Sequence, residues 1–215
     1  MVTYLTNVQR AWRTALARKR FTIECIVSGA LLVLVLNGFS RFVLWVEQRP
    51  GSILVDPLLS LFDAKPVTWI TFLLIYGTVV MAIVNLLPNP RQLIHAIQSY
   101  ILLVLFRIVL MWSAPLDPPL TTIPLADPIV EFFGTGIVLT KDLFFSGHTS
   151  LMFLLCLVCN KKLRPVIILI TIGVGICVLI QHVHYLVDVL VAPFIAYVSY
   201  RIVKIIQGEG RSFSK

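Results

Sequence analysis

Charged side chains are scarce in this chain. Only 13% of its 215 residues are Asp, Glu, Lys or Arg, whereas 58% are hydrophobic, and soluble domains carry about 25% charged residues. So much apolar surface cannot be buried in one small core, which excludes a cytosolic globular protein. The apolar residues fall into long runs. Because a membrane helix needs about 20 of them, the chain has room for about five to seven spans and for no separate soluble domain.

Acidic residues are fewer still, with 10 Asp and Glu against 18 Lys and Arg. The segment 1–20 has none. In it, Leu5, Val8, Trp12 and Leu16 recur at three- and four-residue spacing, which places them on one face of a helix. We therefore predict that residues 1–20 form an amphipathic basic helix at the cytoplasmic membrane interface.

The sequence lacks the side-chain groupings that bind metals, nucleotides or nucleic acid. No set of three His and Cys residues occurs at ligand spacing, no glycine-rich loop follows a strand, and no basic groove is interleaved with aromatics. The four cysteines, Cys25, Cys156, Cys159 and Cys177, lie inside apolar runs and are interpreted as packing residues. We therefore predict no metal, no cofactor and no nucleic-acid partner.

Six apolar runs have the length of membrane helices. The sequence therefore predicts an all-α, integral membrane six-helix bundle over residues 21–207, followed by a cytoplasmic tail over 208–215. The predicted spans are 22–46, 67–87, 93–112, 144–160, 165–183 and 186–206.

The positive charges give this bundle an orientation. With the N-terminus in the cytoplasm, the cytoplasmic segments hold 13 of the 18 Lys and Arg residues, Arg211 and Lys215 among them. The outer loops hold only Arg49, Lys65 and Lys141. Since Lys and Arg favour cytoplasmic loops, both termini are predicted to be cytoplasmic. If the protein is bacterial, this places it in the plasma (inner) membrane.

Two short polar segments interrupt the apolar sequence. The first, 142–149, reads Asp-Leu-Phe-Phe-Ser-Gly-His-Thr, and the second, 182–188, reads His-Val-His-Tyr-Leu-Val-Asp. The chain crosses the predicted membrane twice between them, so both segments are predicted at the outer face. Ionisable groups in membrane spans are costly and usually functional.

The residue types in these segments suit nucleophilic catalysis. His184 and Asp188 are four residues apart and share one helical face. The carboxylate can therefore orient one imidazole nitrogen and leave the other free to attack. His148 supplies a second imidazole that can carry a proton, and Gly147 allows close approach of the backbone to a ligand.

These motifs carry a family resemblance. The run Ser-Gly-His at 146–148, followed about 36 residues later by His184 and Asp188, resembles the type-2 phosphatidic-acid phosphatase superfamily. More narrowly, segments 142–149 and 184–189 are similar to the motifs C-G-D-x-L-F-S-G-H-T and H-Y-T-x-D-V of the sphingomyelin synthase branch, which also has six spans. The chain departs from this pattern at residues 140 and 141, where it has Thr-Lys in place of Cys-Gly.

The resemblance implies a lipid phosphotransferase that works through a phosphohistidine. His184 would attack the phosphorus of a glycerophospholipid carrying a phosphocholine or phosphoethanolamine headgroup, and Asp188 would orient it. His148 would protonate the departing diacylglycerol and then deprotonate the incoming lipid hydroxyl, which is ceramide in sphingomyelin synthases.

Two alternatives stay open. With water as acceptor, the same residues would make a lipid phosphatase or a phospholipase C-type hydrolase. The other alternative is a non-catalytic membrane protein that binds lipid. A homo-oligomer is neither implied nor excluded.

The remaining substrate contacts are assigned to five residues. The phosphatases of this superfamily use a K-x6-R-P motif that the chain lacks, so Arg107 and Arg41 are the candidate phosphate ligands, although each could instead snorkel to the interface. Asp142 either contacts a cationic headgroup or caps the fourth helix. Ser146 and Gly147 complete the predicted substrate site.

Other polar and aromatic residues near the outer face receive simpler interpretations. Tyr185 and Trp112 are taken as aromatic residues of the membrane interface, and His182 as a bystander on a different helical face from His184. Eight acids in the outer loops favour a cationic headgroup, although solvated loop charge explains most of them. These acids are Glu47, Asp56, Asp63, Asp117, Asp127, Glu131, Asp142 and Asp188.

Overall fold

The computed structural model describes residues 2–126 and 137–208. Two of the predicted outer-loop acids, Asp127 and Glu131, lie outside the described residues. So does the predicted tail after its first residue, including Arg211 and Lys215. Within the described ranges the regular structure is helical, which confirms the predicted all-α class. The α-helices are α1 (Val2–Leu16), α2 (Lys19–Gln48), α3 (Thr68–Leu86), α4 (Pro90–Ser113), α5 (Gly147–Val158), α6 (Arg164–Ile180) and α7 (Leu186–Ile206), with a 3-10 turn at Leu59–Leu61.

Each predicted span coincides with one of these helices. Four of them, α2, α3, α4 and α7, are long and apolar enough to cross a membrane, and α5 and α6 are apolar but shorter. The chain is therefore a multi-pass membrane protein.

Helix α5 begins three residues later than the predicted span. Phe144 and Phe145 have φ angles of 55° and 131°, a left-handed backbone that a helix cannot continue. Ser146 then acts as the N-cap, because its Oγ accepts a hydrogen bond from the backbone N–H of Thr149 at 3.3 Å. His148 is thereby fixed in the first turn of α5.

The centre of the bundle is formed by α5, which packs against α4, α6 and α7. Small residues permit this close packing: Ala192 and Ala196 of α7 are fully buried. A Cβ on Gly175 of α6 would lie 2.9 Å from Val189 of α7. Helix α2 packs on α4 at the outside of the bundle and has few buried residues.

Helix α1 is fastened to the end of the bundle opposite the polar segments. The indole of Trp12 donates a hydrogen bond to the carbonyl of Leu87, and the Tyr4 hydroxyl donates to the carbonyl of Val84. Leu5 and Leu16 face outward and are about half exposed. The apolar face of α1 is thus shared between protein and surroundings, and its place at a membrane interface stays a prediction.

The same end of the bundle holds a polar network between α2, α4 and α7. The Gln98 amide donates to Glu24 and Ser28 at 3.1 and 3.0 Å and accepts from Gln207 at 2.8 Å. Gln207 in turn bonds to Nδ1 of His95. Because the Glu24 carboxylate can only accept, it fixes the direction of every hydrogen bond in this chain of amides.

Two loops lie at the other end, and we call them the site-side loops (residues 51–62 and 115–125). The N–H of Ser52 donates to the carbonyl of Pro115, and the N–H of Asp117 donates to the carbonyl of Ser52. A Cβ on Gly51 would lie 2.5 Å from the backbone of Leu116. The two loops are therefore in direct backbone contact.

Candidate active site

His184 and Asp188 form a buried pair at the start of α7. Nδ1 of His184 lies 3.2 Å from Oδ2 of Asp188, and both side chains are almost fully buried. The same carboxylate oxygen accepts the backbone N–H of Tyr185. Since a carboxylate accepts hydrogen bonds, Nδ1 is the donor of this pair, and Nε2 of a neutral imidazole would keep its lone pair.

A backbone contact joins this pair to the start of α5. The N–H of Ser146 donates to the carbonyl of Asp188 at 3.0 Å. His148, two residues further on, is half-buried, and its ring lies edge-on to Phe72. The two polar segments predicted from sequence are therefore adjacent in the fold.

Arg107 reaches the same place from α4. It is 5% exposed, it pairs with Asp142, and its guanidinium lies 5.5 Å from the ring centres of both Phe39 and Phe145. The guanidinium also lies against Gly147, where a Cβ would overlap it. Arg107 is therefore buried in the protein beside the first turn of α5.

Asp142 does not cap the fourth predicted span, and its contact with a headgroup stays a prediction. Ser146 caps α5, so the capping alternative for Asp142 is wrong. The carboxylate of Asp142 is paired with Arg107 and is 29% exposed, whereas the arginine side chain is 6% exposed. Asp142 is thus the accessible member of the pair.

Arg41 lies apart from this cluster. It is exposed on α2, and it is two residues beyond Phe39, whose ring lies on Arg107. Two residues correspond to about 200° around a helix. Arg41 therefore points away from the Arg107 side of α2.

The acids predicted for the outer loops mostly have protein partners. Glu47 accepts hydrogen bonds from Thr140 and Lys141, Asp56 from the N–H groups of Leu58 and Leu186, and Asp117 pairs with Lys141. Asp63 is exposed. The acid surplus therefore serves loop structure at these positions, which leaves Asp142 as the headgroup candidate.

The interface interpretation of Tyr185 is wrong. Its side chain is 1% exposed, its hydroxyl donates to the carbonyl of Asp117, and the N–H of Leu54 donates to that hydroxyl. Trp112 is 65% exposed, and its place at a membrane interface stays a prediction.

Gln181 and His182 were not recognised as structural residues from the sequence. Both are fully buried next to His184, and both bond to the site-side loop 115–125. A lone amide at the end of an apolar helix carries no motif, so only the fold reveals its partners. In the part of the chain that the structure describes, no group of three or more His, Cys, Asp or Glu side chains could hold a metal ion.

The comparisons with known proteins match the part of the chain that carries this site. Residues 141–205 match the family model described as PAP2 superfamily C-terminal. This range contains the first turn of α5 and the His184–Asp188 pair. This part of the chain therefore resembles the PAP2 superfamily.

The chain is also similar to a curated protein, the phosphatidylethanolamine:ceramide ethanolaminephosphotransferase of Trypanosoma brucei brucei. The two are 30% identical over 192 residues, which is 82% of this chain and 52% of the relative. The chain therefore spans about half the length of that relative.

Proposed function

We propose that this protein is a lipid phosphotransferase of the PAP2 superfamily that moves a phosphorylated, zwitterionic headgroup from a glycerophospholipid to a lipid hydroxyl such as ceramide. The observation that carries the proposal is the convergence of three groups: the His184–Asp188 pair, the first turn of α5 with His148, and the buried Arg107. The named activity of the trypanosome relative is of the same class.

The proposed first step forms a bond from Nε2 of His184 to the phosphorus of the donor. The bond from phosphorus to the glycerol oxygen breaks, and His148 gives its proton to that oxygen, which releases diacylglycerol. Asp188 holds the imidazole in the reactive tautomer and stabilises the charge that it gains.

In the second step, His148 takes the proton of the acceptor hydroxyl. The hydroxyl oxygen attacks phosphorus, the bond from phosphorus to nitrogen breaks, and His184 is regenerated. Arg107 and the first backbone N–H groups of α5, including that of Gly147, would stabilise the phosphoryl oxygens throughout. Ser146 fixes the start of that helix turn.

The Arg107–Asp142 pair fits a zwitterionic headgroup. The donor phosphate would take the place of Asp142 on Arg107, and the released carboxylate would meet the ammonium of ethanolamine or choline. One ion pair would be exchanged for two, so neither charge of the site is left unpaired. An anionic headgroup without an ammonium would leave Asp142 without a counterion.

We also propose six spans with both termini in the cytoplasm and the site facing the outer leaflet. Helix α5 has 12 residues and is about 18 Å long, shorter than the hydrocarbon core of about 30 Å. Its N-terminus would therefore lie below the outer surface. Arg107, six residues before the end of α4, would lie at a similar depth, about 9 Å in. At this depth Arg41 would serve as an interfacial arginine.

Product analysis tests the function. Purified protein would be incubated with headgroup-labelled phosphatidylethanolamine, phosphatidylcholine or phosphatidylglycerol, with and without ceramide, and each product identified by mass. We expect diacylglycerol plus a ceramide-linked headgroup from a zwitterionic donor and little turnover of phosphatidylglycerol. A free phosphorylated headgroup alone would establish the hydrolase instead, and no product from any donor would leave lipid binding without catalysis. His184→Ala is the control and should give no product.

A further inference from the structure

The loop that carries His184 is buried, although it joins two helix ends. Gln181, His182, His184 and Tyr185 are all at most 3% exposed. Loops normally lie on the surface because their backbone groups need water or other partners. Something in the fold must therefore replace water around the proposed nucleophile.

The site-side loops provide this cover. The Tyr185 hydroxyl bonds to the N–H of Leu54 in one loop and to the carbonyl of Asp117 in the other, at 3.2 and 2.8 Å. The N–H of Leu186 donates to Oδ2 of Asp56 at 2.6 Å. Both residues that follow His184 are thus bonded to these loops.

Gln181 joins the cover to the helices on the other side of His184. Its amide N–H group donates to the carbonyls of Ile123 and Pro124, and its carbonyl oxygen accepts the N–H of Val67 and the hydroxyl of Thr68. Its backbone carbonyl accepts the N–H of Ile123. One side chain therefore connects the loop 115–125, the start of α3 and the end of α6.

His182 adds a second connection to the same loop. Its Nδ1 lies 2.5 Å from the hydroxyl of Thr121, and its carbonyl accepts the hydroxyl of Thr122. Its φ of 55° is a left-handed conformation that costs a non-glycine residue free energy. The loop contacts offset that cost.

We propose that the site-side loops form a cap, held closed by Gln181, that keeps water from the phosphorylated His184 and so directs the headgroup to a lipid hydroxyl. The inference rests on the proposed function and deepens it. Hydrolysis would need a water molecule to attack phosphorus, to give its proton to His148 and to break the bond to His184. A lipid acceptor arrives from the bilayer side, whereas bulk water would have to pass the cap.

Gln181→Met tests the cap, because methionine has a similar volume but none of the amide hydrogen bonds. With headgroup-labelled phosphatidylethanolamine and saturating ceramide, the ratio of free phosphoethanolamine to ceramide product should rise about five- to tenfold. That is the fold-change expected for loss of about one net hydrogen bond from the closed state.

Gln98→Met is the matched control, since it removes a comparable set of amide bonds at the opposite end of the bundle. Its product ratio should equal that of the wild type even if its stability falls. Gly51→Ala is an independent opening variant, because its Cβ forces the two site-side loops apart. Gly51→Ala should raise the ratio of free phosphoethanolamine to ceramide product. It therefore provides a second test of the cap if Gln181→Met does not fold.

The products of the wild type and the variants distinguish a failure of the cap from a failure of the proposed function. Transfer by the wild type with unchanged ratios in the folded opening variants would overturn the cap and leave the proposed function intact. An equal fall of both products would show that Gln181 only supports the fold, which also overturns the cap. Absence of both products in the wild type would overturn the proposed function itself.

Discussion

Gly147 lies with its backbone directly against the Arg107 guanidinium, where a Cβ would overlap the side chain. Gly147→Ala should therefore displace Arg107 and lower transfer by about 100-fold or more, the effect of losing one preorganised donor at a reacting centre. Gly173→Ala is the control, because its Cβ would meet only a methyl group of Leu74 at 3.5 Å. Turnover per folded molecule checks both, and equal activities would contradict the assignment.

Arg107 itself should tolerate only a conservative change. Lysine keeps the charge but loses the bidentate fork, so Arg107→Lys should retain part of the turnover and Arg107→Gln should lose nearly all of it. The loss should fall on the chemical step, since the phosphoryl oxygens need their counter-charge most in the transition state. Single-turnover kinetics on the folded fraction measure this step. Unchanged turnover in Arg107→Gln would refute the role.

Among the single residues of the site, the sequence predicted only those contacts that follow from short spacing along the chain. The His184–Asp188 pair follows from four-residue helical spacing, and the structure places the two side chains in contact. The Arg107–Asp142 pair joins residues 35 apart, and no local rule pairs them. The contact of the Arg107 guanidinium with two phenylalanine rings could not be predicted either, because Phe39 and Phe145 come from different elements.

Among the loops, Asp117 connects the two site-side loops, and the stability that this connection provides depends on pH. The hydrogen-bonded ammonium of Lys141 lowers the pKa of this carboxyl below its ordinary value, and the N–H of Gly51 adds to the effect. A lowered folded-state pKa means stabilisation that is present above the ordinary pKa of about 3.9 and is lost as the pH falls through the lowered value.

Asp117→Asn should therefore reduce thermal stability at neutral pH by about 0.2–1 kcal/mol, as for a partly exposed ion pair. The difference from the wild type should stay constant above about pH 5 and shrink below about pH 4. Melting in detergent micelles across this range measures it. Asp63→Asn, at an exposed position, is the control. A stability difference between the two proteins that increases in acid would contradict a lowered pKa of Asp117.

Helix positions were predictable because apolar runs and proline breaks report them directly. The start of α5 was not, since it depends on the left-handed backbone of Phe144 and Phe145, which no residue preference suggests for phenylalanine. The burial of residues 181–185 depends on loops more than 50 residues away in sequence. Such long-range cover cannot be found from local patterns.

For the whole molecule, the charge distribution predicts that the turn after α5 is cytoplasmic. In a cysteine-free background, a cysteine replacing Lys162 should react with a membrane-impermeant reagent only after the membrane is opened. Lys65→Cys, in the segment before α3 at the site end, should react from outside and is the control. Labelling of the position 162 cysteine from outside would contradict the orientation.

The central claim is that the headgroup passes through His184, and trapping the intermediate tests it most directly. The protein would be mixed with headgroup-labelled phosphatidylethanolamine without acceptor, quenched at alkaline pH, where phosphohistidine bonds persist, and digested for mass analysis. The proposed mechanism predicts phosphoethanolamine on the peptide that contains His184, lost on addition of ceramide and absent from His184→Ala. Label on another residue, or transfer by His184→Ala at the wild-type rate, would contradict it.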